Sequence, residues 1–215
     1  MVIPSLRVWF RWTLEGVENI PAEGPAILAF NHISYLDPFA TAYAIDKGGR
    51  RPRFLAKSEL FEEKRIAWIL RGTRQIEVRR GTSSAPLALD QALGSLAAGE
   101  VIVIFPEGTV TKDADLRSRP PKTGAVRLAL KSGAPLIPGA VWGTSNILPN
   151  DKSYRGRSRP GQDLCVRIGT PLDLTGRSDD PESWRIAGKE LMSEIDVLVA
   201  SLRPLVPDIR RPRGK

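Results

Sequence analysis

Residues 101–109 read Val-Ile-Val-Ile-Phe-Pro-Glu-Gly-Thr, an apolar run followed directly by a polar turn. The run is short and β-branched, which predicts a strand that is buried within a sheet. The turn then lies at the carboxyl end of that strand, where ligands bind in open α/β sheets. Pro-Glu-Gly is also ordinary turn chemistry, because glycine adopts positive φ at no steric cost. The turn alone therefore does not establish a functional site.

The rest of the chain alternates short apolar runs with stretches of helical periodicity. This pattern predicts an α/β protein with a mostly parallel central sheet flanked by helices, and 215 residues suffice for one such domain. Strands are predicted at residues 26–30, 54–56, 101–104, 136–137 and 164–168. Helices are predicted at residues 37–45, 61–70, 87–98, 125–131 and 184–202.

The first of these predicted strands leads into Asn31-His32, which includes the only histidine of the chain. Asp37 follows five residues later. Imidazole is the usual base near neutral pH, and a carboxylate that accepts its second ring N–H fixes the tautomer and favours the imidazolium. The spacing favours His32 as a general base with Asp37 as its orienting partner. A structural histidine beside an aspartate that caps a helix would have the same pattern.

These two strings together resemble the motifs of the glycerolipid acyltransferase family, whose best-known members are the 1-acyl-sn-glycerol-3-phosphate (lysophosphatidic acid) acyltransferases. The family's first block, Asn-His-x4-Asp, matches residues 31–37. Its third block, Phe-Pro-Glu-Gly-Thr-Arg, matches residues 105–109, with Val110 where the arginine usually stands. The resemblance covers roughly residues 17–174.

Two weaker blocks lie at the expected places in the chain. Residues 76–81, Ile-Glu-Val-Arg-Arg-Gly, resemble the basic second block, although Arg74 stands in place of its opening glycine. Leu136-Ile137-Pro138 resembles the fourth block, followed by Gly139 where the family usually has a branched residue.

The resemblance implies a glycerol-3-phosphate acyltransferase-like fold and an O-acyltransferase of phospholipid biosynthesis. An acyl group would move from acyl-CoA or acyl carrier protein to the free hydroxyl of 1-acylglycerol-3-phosphate, giving phosphatidic acid. His32 would act as the base and Asp37 as its partner, with no covalent acyl-enzyme. No metal ion and no cofactor besides the acyl donor is expected. The implied substrate-binding residues are Arg80, Glu107, Gly108 and Thr109. A phosphate also needs cations within reach, and Lys57 or Arg79 could supply one, although either could equally be a surface charge.

Val110 leaves the identity of the acceptor open. If the arginine usually found there contacts the acceptor phosphate, its loss removes a charge-assisted pair worth about 1.5–3 kcal/mol. Lys112 or Arg79 could supply the missing charge, or the acceptor could be a lysophospholipid with a larger headgroup. A non-catalytic module that binds lipid or a protein partner on the same fold is a further alternative.

The net charge of +8 predicts an anionic partner, which could be a membrane surface or a nucleic acid. Nucleic-acid binding favours aromatic residues interleaved with basic ones. Here two tryptophans and a phenylalanine cluster in residues 9–12, away from the Arg-rich residues 155–160 and 210–215. We therefore expect an anionic membrane surface as the partner and no nucleic acid.

The sequence of the amino terminus predicts an element that binds the membrane surface. If residues 1–16 form a helix, that helix is amphipathic and would associate with a membrane. An acyltransferase domain at residues 17–204 and a basic flexible tail at residues 205–215 would follow it. The apolar face of the helix would carry Leu6, Trp9, Phe10 and Leu14, and Val17 would continue it. The same face could instead pack on the core of the protein. No stretch is apolar enough to cross a bilayer and no secretory signal is visible, so we expect a peripheral or monotopic protein at the cytoplasmic face of the cell membrane.

Other functional classes lack support in the sequence. Cys165 is the single cysteine, which excludes an intramolecular disulfide and a cysteine-based zinc site, and it falls within a predicted strand, where it would pack. Neither a Gly-x-Gly-x-x-Gly string nor a P-loop string occurs.

Overall fold

The computed structural model describes residues 9–63, 67–78, 85–157 and 159–212. The strands are β1 (Phe10–Glu15), β2 (Ala26–Phe30), β3 (Pro52–Lys57), β4 (Ile76–Val78), β5 (Val101–Ile104), β6 (Leu136–Trp142), β7 (Tyr154–Arg155), β8 (Gln162–Ile168) and β9 (Arg211–Pro212). Seven of these form one sheet in the order β1-β8-β6-β2-β5-β3-β4, and β7 pairs with β9. The predicted α/β class with a mostly parallel sheet is confirmed.

The helices connect the strands across both faces of this sheet. They are α1 (Asp37–Lys47), α2 (Ser58–Glu62), α3 (Ala67–Gly72), α4 (Ala85–Ala97), α5 (Gly124–Ser132), α6 (Thr144–Ile147) and α7 (Pro181–Leu202). Strands β6, β2, β5, β3 and β4 run parallel to one another, whereas β8 runs antiparallel to β6. The carboxyl ends of those five strands therefore share one edge of the sheet, called here the carboxyl edge.

The central strand β2 is buried on both faces, as its unbroken apolar sequence predicts. Ile27 and Ala29 pack on one side in a core cluster with α5 and α7. Ala26, Leu28 and Phe30 pack on the other side in a cluster with α1. This two-sided packing holds the carboxyl end of β2, and the residues that follow it, in a rigid frame.

The predicted amino-terminal helix is wrong for residues 10–15, which form the edge strand β1 parallel to β8. Phe10 and Leu14 lie four residues apart, a spacing that fits one helix face and also one strand face. Trp12 lies between them on the same strand face, where it stacks on Tyr43 with ring centroids 4.3 Å apart. The exposed Arg11 pairs with Asp163 of β8. Leu6 and the rest of residues 1–8 lie outside the described residues.

The predicted helix over residues 61–70 is interrupted at Glu63, which follows α2 and is not helical; residues 64–66 lie outside the described residues, and α3 covers Ala67–Gly72. The carbonyl of Glu63 accepts a hydrogen bond from Ala67 N.

Residues 205–212 differ from the predicted flexible tail, because they pack on the domain. Trp142 Nε1 donates to the carbonyl of Val206 at 2.9 Å, and Ile209 N donates to Asn146 Oδ1 at 3.0 Å. The guanidinium of Arg210 lies over the ring of Tyr154 at 4.6 Å. These contacts use the aromatic and amide groups of the β6 end, which the composition of the tail does not reveal.

Gly139 has a packing reason for replacing the branched residue usual in the family. It lies opposite Phe30 in the β2–β6 register, and a Cβ built on Gly139 would lie 2.3 Å from Phe30 Cε1. The buried Phe30 ring therefore fills the space that a side chain at position 139 would need.

We expect Gly139→Ala to lower the free energy of unfolding by about 1–3 kcal/mol through overpacking, measured by urea denaturation. Phe30→Leu in the same chain should recover part of that loss. Gly94→Ala is the matched control, since Gly94 is exposed within α4 with open space around its Cβ position, and it should leave the protein as stable or slightly more so. Strictly additive effects of the two core substitutions would contradict the steric explanation.

Candidate active site

The turn after β2 is fixed by Asn31, which is buried and bonds to the backbone of β6. Its Nδ2 donates to the carbonyl of Val141 at 3.0 Å, and its Oδ1 accepts from Val141 N at 2.8 Å. Both bonds replace strand ladder bonds at the point where the chain leaves the sheet. His32 is thereby placed at the carboxyl edge, with its side chain 14% exposed.

The structure brings His32 and Asp37 together. Nδ1 of His32 lies 2.9 Å from Oδ2 of Asp37, whose side chain is fully buried. A carboxylate offers only acceptors, so the ring presents Nδ1–H to Asp37 and leaves the Nε2 lone pair free. This is the orientation that a general base needs.

Asp37 is itself held by three further donors. Its Oδ2 accepts from the backbone N–H groups of Ile33 at 2.7 Å and Ser34 at 2.8 Å, and its Oδ1 accepts from Thr144 Oγ1 at 2.5 Å. The two backbone bonds close the turn that precedes α1. Asp37 thus closes this turn and contacts the His32 ring at once, but it is the first residue of α1 and its side chain does not cap that helix.

Glu107 connects the turn after β5 to the turn after β2. Its Oε1 accepts from His32 N at 2.8 Å and its Oε2 accepts from Arg119 N at 2.9 Å. Burial raises the pKa of Glu107, and these two hydrogen bonds act against the rise. The carboxylate therefore holds the backbone of the base in place. Substrate binding by Glu107 remains a prediction.

An aromatic wall lies against the base. The rings of Phe105 and His32 stack with centroids 4.1 Å apart and an interplanar angle of 19°. The ring of Phe54 in β3 lies nearly parallel to that of Phe105, with centroids 6.3 Å apart. This packing restricts rotation of the imidazole, so its free nitrogen has a defined direction.

Gly108 adopts φ +70°, and the side chain of Lys122 occupies the space where a Cβ would be. Thr109 is exposed. Val110, at the position of the family's arginine, is buried with 3% of its surface exposed. The turn after β5 and the loop that leads from it to α5 therefore meet beside the His32-Asp37 pair.

Three of the predicted substrate-binding residues cannot be placed in this site. Arg79 and Arg80 lie outside the described residues. Lys57 ends β3 at the carboxyl edge, and its side chain is outside what the structure describes. Their roles stay predictions.

Sequence reasoning did not find Thr144 or the contacts of Phe105 and Lys122. Thr144 lies 107 residues beyond Asp37, and its only signal is its place after the β6 strand. Phe105 stands within the matched motif, but a motif does not reveal ring stacking. Lys122 lies in a segment that resembles the family, yet its contact with Gly108 depends on the path of the loop.

A comparison with protein-family models matches residues 11–142 to the Acyltransferase family. The chain belongs to the acyltransferase family. The matched region covers β1 to β6 and includes His32, Asp37 and Glu107.

Relatives and a solved structure agree with this assignment. The chain is 30% identical over 147 residues to the chloroplastic 1-acyl-sn-glycerol-3-phosphate acyltransferase of Arabidopsis thaliana, covering 67% of this chain and 40% of that one. It is 28% identical over 190 residues to the 1-acyl-sn-glycerol-3-phosphate acyltransferase of Bacillus subtilis, covering 84% and 88%. The crystal structure of the 1-acyl-sn-glycerophosphate acyltransferase PlsC from Thermotoga maritima aligns with a TM-score of 0.66 at 27% identity, covering 89% and 73%.

The chain spans less than half the length of the plant relative. Among the helices of the described residues, none has the length and apolar character required to span a membrane.

Proposed function

We propose that this protein transfers a fatty acyl group from a thioester to the free hydroxyl of 1-acylglycerol-3-phosphate, giving phosphatidic acid. The observation that carries the proposal is the 2.9 Å contact between His32 Nδ1 and Asp37, which leaves the second ring nitrogen free at the carboxyl edge. The names of the plant and bacterial relatives support this choice of acceptor.

The reaction balances with the groups of this site. Nε2 of His32 takes the proton of the acceptor hydroxyl as its oxygen attacks the thioester carbonyl carbon. The tetrahedral intermediate then collapses, the C–S bond breaks, and the imidazolium returns the proton to the leaving thiolate. The products are an ester and a free thiol. Asp37 stabilises the imidazolium formed in between.

The acyl donor in this proposal is acyl-CoA or acyl carrier protein. Both present the same thioester, so the His32-Asp37 pair serves either donor. No cofactor or metal ion enters the proposed reaction.

The proposal is tested by incubating the full chain with oleoyl-CoA and lysophosphatidic acid and, in parallel, with diester lysophospholipids. Carrier-protein donors are tried in the same way. Formation of phosphatidic acid supports the proposal. Turnover confined to the diesters would keep the reaction and change the acceptor. If no acceptor is acylated with either donor, the catalytic proposal fails and a lipid-binding or partner-binding module takes its place.

The proposal includes a peripheral location on an anionic membrane, for which the structure offers a surface. Tyr35, Phe39 and Leu148 are large, exposed side chains beside the site. Ser34 Oγ donates to the carbonyl of Leu148 at 2.7 Å, which joins this segment to the turn that holds the base. We call Tyr35, Phe39 and Leu148 the apolar rim.

Positive charge adjoins the apolar rim. The connection from β6 to β8 starts and ends at the carboxyl edge, because these strands are antiparallel neighbours. It carries exposed basic side chains, namely Lys152, Arg155, Arg157 and Arg159. Apolar side chains flanked by cations suit the boundary between acyl chains and anionic headgroups.

We expect the triple variant Tyr35→Ser, Phe39→Ser, Leu148→Ser to bind phosphatidylglycerol-containing vesicles at least about tenfold more weakly than wild type. The reason is that three apolar side chains are no longer available to be buried in the membrane. Vesicle sedimentation measures the effect. The matched control is Ile186→Ser with Val197→Ser, which removes exposed apolar side chains of α7 and should leave binding unchanged. Equal losses in the two variants would contradict the proposed surface.

A further inference from the structure

Position 110 cannot supply a cation to the site in this chain. Val110 is buried, and the Asn150 side chain holds the next residue by donating to the carbonyl of Thr111 at 2.9 Å. A charged side chain in this orientation would enter the core, where an unpaired charge is costly. A phosphate in the site must therefore find its cation elsewhere.

Lys122 is the cation that the fold places on the turn after β5. A Cβ built on Gly108 would lie 2.7 Å from Lys122 Cε and 2.9 Å from Lys122 Nζ. The end of the lysine thus crosses directly over Gly108, next to Glu107. The backbone supports this position, because Lys122 N donates to the carbonyl of Pro106 at 2.8 Å.

The charge of Lys122 is not neutralised by any residue that the structure describes. Across the described ranges 9–63, 67–78, 85–157 and 159–212, its ammonium takes part in no hydrogen bond or ion pair. Arg117 of the same loop differs, since it pairs with Asp115 at 2.9 Å. The nearby carboxylate of Glu107 faces the N–H groups of His32 and Arg119 instead. Lys122 therefore presents an uncommitted positive charge beside the base.

We infer that Lys122 binds the phosphate monoester of the acceptor, in place of the arginine that Val110 replaces. This inference rests on the proposed function. It also gives Gly108 a specific role, because a side chain at position 108 would displace the lysine. Lys122 is then a specificity-determining residue, which favours an acceptor with a phosphate monoester over a neutral glyceride.

The test compares Lys122→Met, which keeps the length of the side chain and removes its charge, with Lys122→Arg and with Lys112→Met. Lys112 is an exposed lysine of the same loop and the rival source of charge. We expect Lys122→Met to raise the KM for lysophosphatidic acid by roughly ten- to a hundredfold, as loss of one charge-assisted contact predicts. The kcat and the KM for oleoyl-CoA should change little, and Lys122→Arg should recover most of the loss.

Phosphates also occur in coenzyme A, and the separate KM values distinguish the two sources. A rise confined to the KM for oleoyl-CoA would overturn the inference and assign Lys122 to the donor. An unchanged KM for lysophosphatidic acid, or an equal rise in Lys112→Met, would overturn it as well. Gly108→Ala should reproduce the effect of Lys122→Met, because it displaces the ammonium.

Direct binding separates this inference from the proposed function. The affinities for lysophosphatidic acid and for monoacylglycerol are measured without donor by calorimetry. A preference of wild type for the phosphate-bearing lipid that disappears in Lys122→Met supports the inference even if no acyl transfer is found. Equal preference in both proteins overturns it, whatever the outcome of the activity assay.

Discussion

Replacing His32 by alanine is expected to lower the rate of acyl transfer by about 10²- to 10⁴-fold, the usual contribution of a general base. The expectation follows from geometry. Asp37 takes the Nδ1 side of the ring at 2.9 Å and the Phe105 ring stacks on its face, so Nε2 is the ring nitrogen left to accept a proton. The measurement is the rate of phosphatidic acid formation at saturating donor and acceptor.

Two controls separate chemistry from folding in this experiment. The unfolding midpoint of His32→Ala in urea should stay near that of wild type, because Asp37 Oδ2 keeps its bonds to the N–H groups of Ile33 and Ser34 when the ring is removed. Added imidazole should restore part of the rate by entering the space left by the ring. A folded His32→Ala protein that keeps more than a tenth of the wild-type rate would exclude His32 as the base.

Asp37→Asn is expected to have the second largest effect, since it alters both the base and the turn. The amide would keep one acceptor oxygen, but its NH₂ group would face donors that now bond to a carboxylate oxygen. Loss of such bonds should lower the free energy of unfolding by about 1–3 kcal/mol, measured by urea denaturation. The rate should also fall by about 10²-fold, less than for His32→Ala, because an amide facing Nδ1 favours the wrong tautomer of the imidazole.

Thr144→Val is the matched comparison for Asp37→Asn. It removes one hydrogen bond to Oδ1 and leaves the contact between Oδ2 and His32 in place. We expect a loss of about 1 kcal/mol in stability and a much smaller loss in rate. If Asp37→Asn slowed the reaction no more than Thr144→Val, Asp37 would serve the turn alone.

Much of the sheet could be predicted because its strands are locally encoded. The apolar runs that became β2 and β5 are buried on both faces, and such runs have few other stable conformations. The His32-Asp37 pair was predictable for the same reason, since both residues lie in one turn of the chain. Glu107 was predicted as a site residue from its motif, although its bonds to His32 N and Arg119 N were not.

Two of the errors, at residues 10–15 and 205–212, concern segments whose partners are distant in the chain. Phe10, Trp12 and Leu14 fit a helix and a strand about equally well, and the pairing of β1 with β8 decided between them. A hydrogen-bonding partner some 150 residues away leaves no mark in the local pattern. The same holds for residues 205–212. They are held by Trp142 and Asn146, which lie about 60 residues earlier in the chain, before β8.

The local sequence of this chain therefore settled which residues form buried strands, and which turns carry the histidine, its aspartate and the glutamate. Those features depend on hydrophobic burial and on bonds within a few residues. Tertiary structure alone decided that Thr144 supports Asp37, that Val110 points into the core, and that Lys122 crosses Gly108. These contacts join segments that meet only when the parallel strands align their carboxyl ends at one edge of the sheet. The distance between such segments is set by the sheet and not by the residues next to them in the chain.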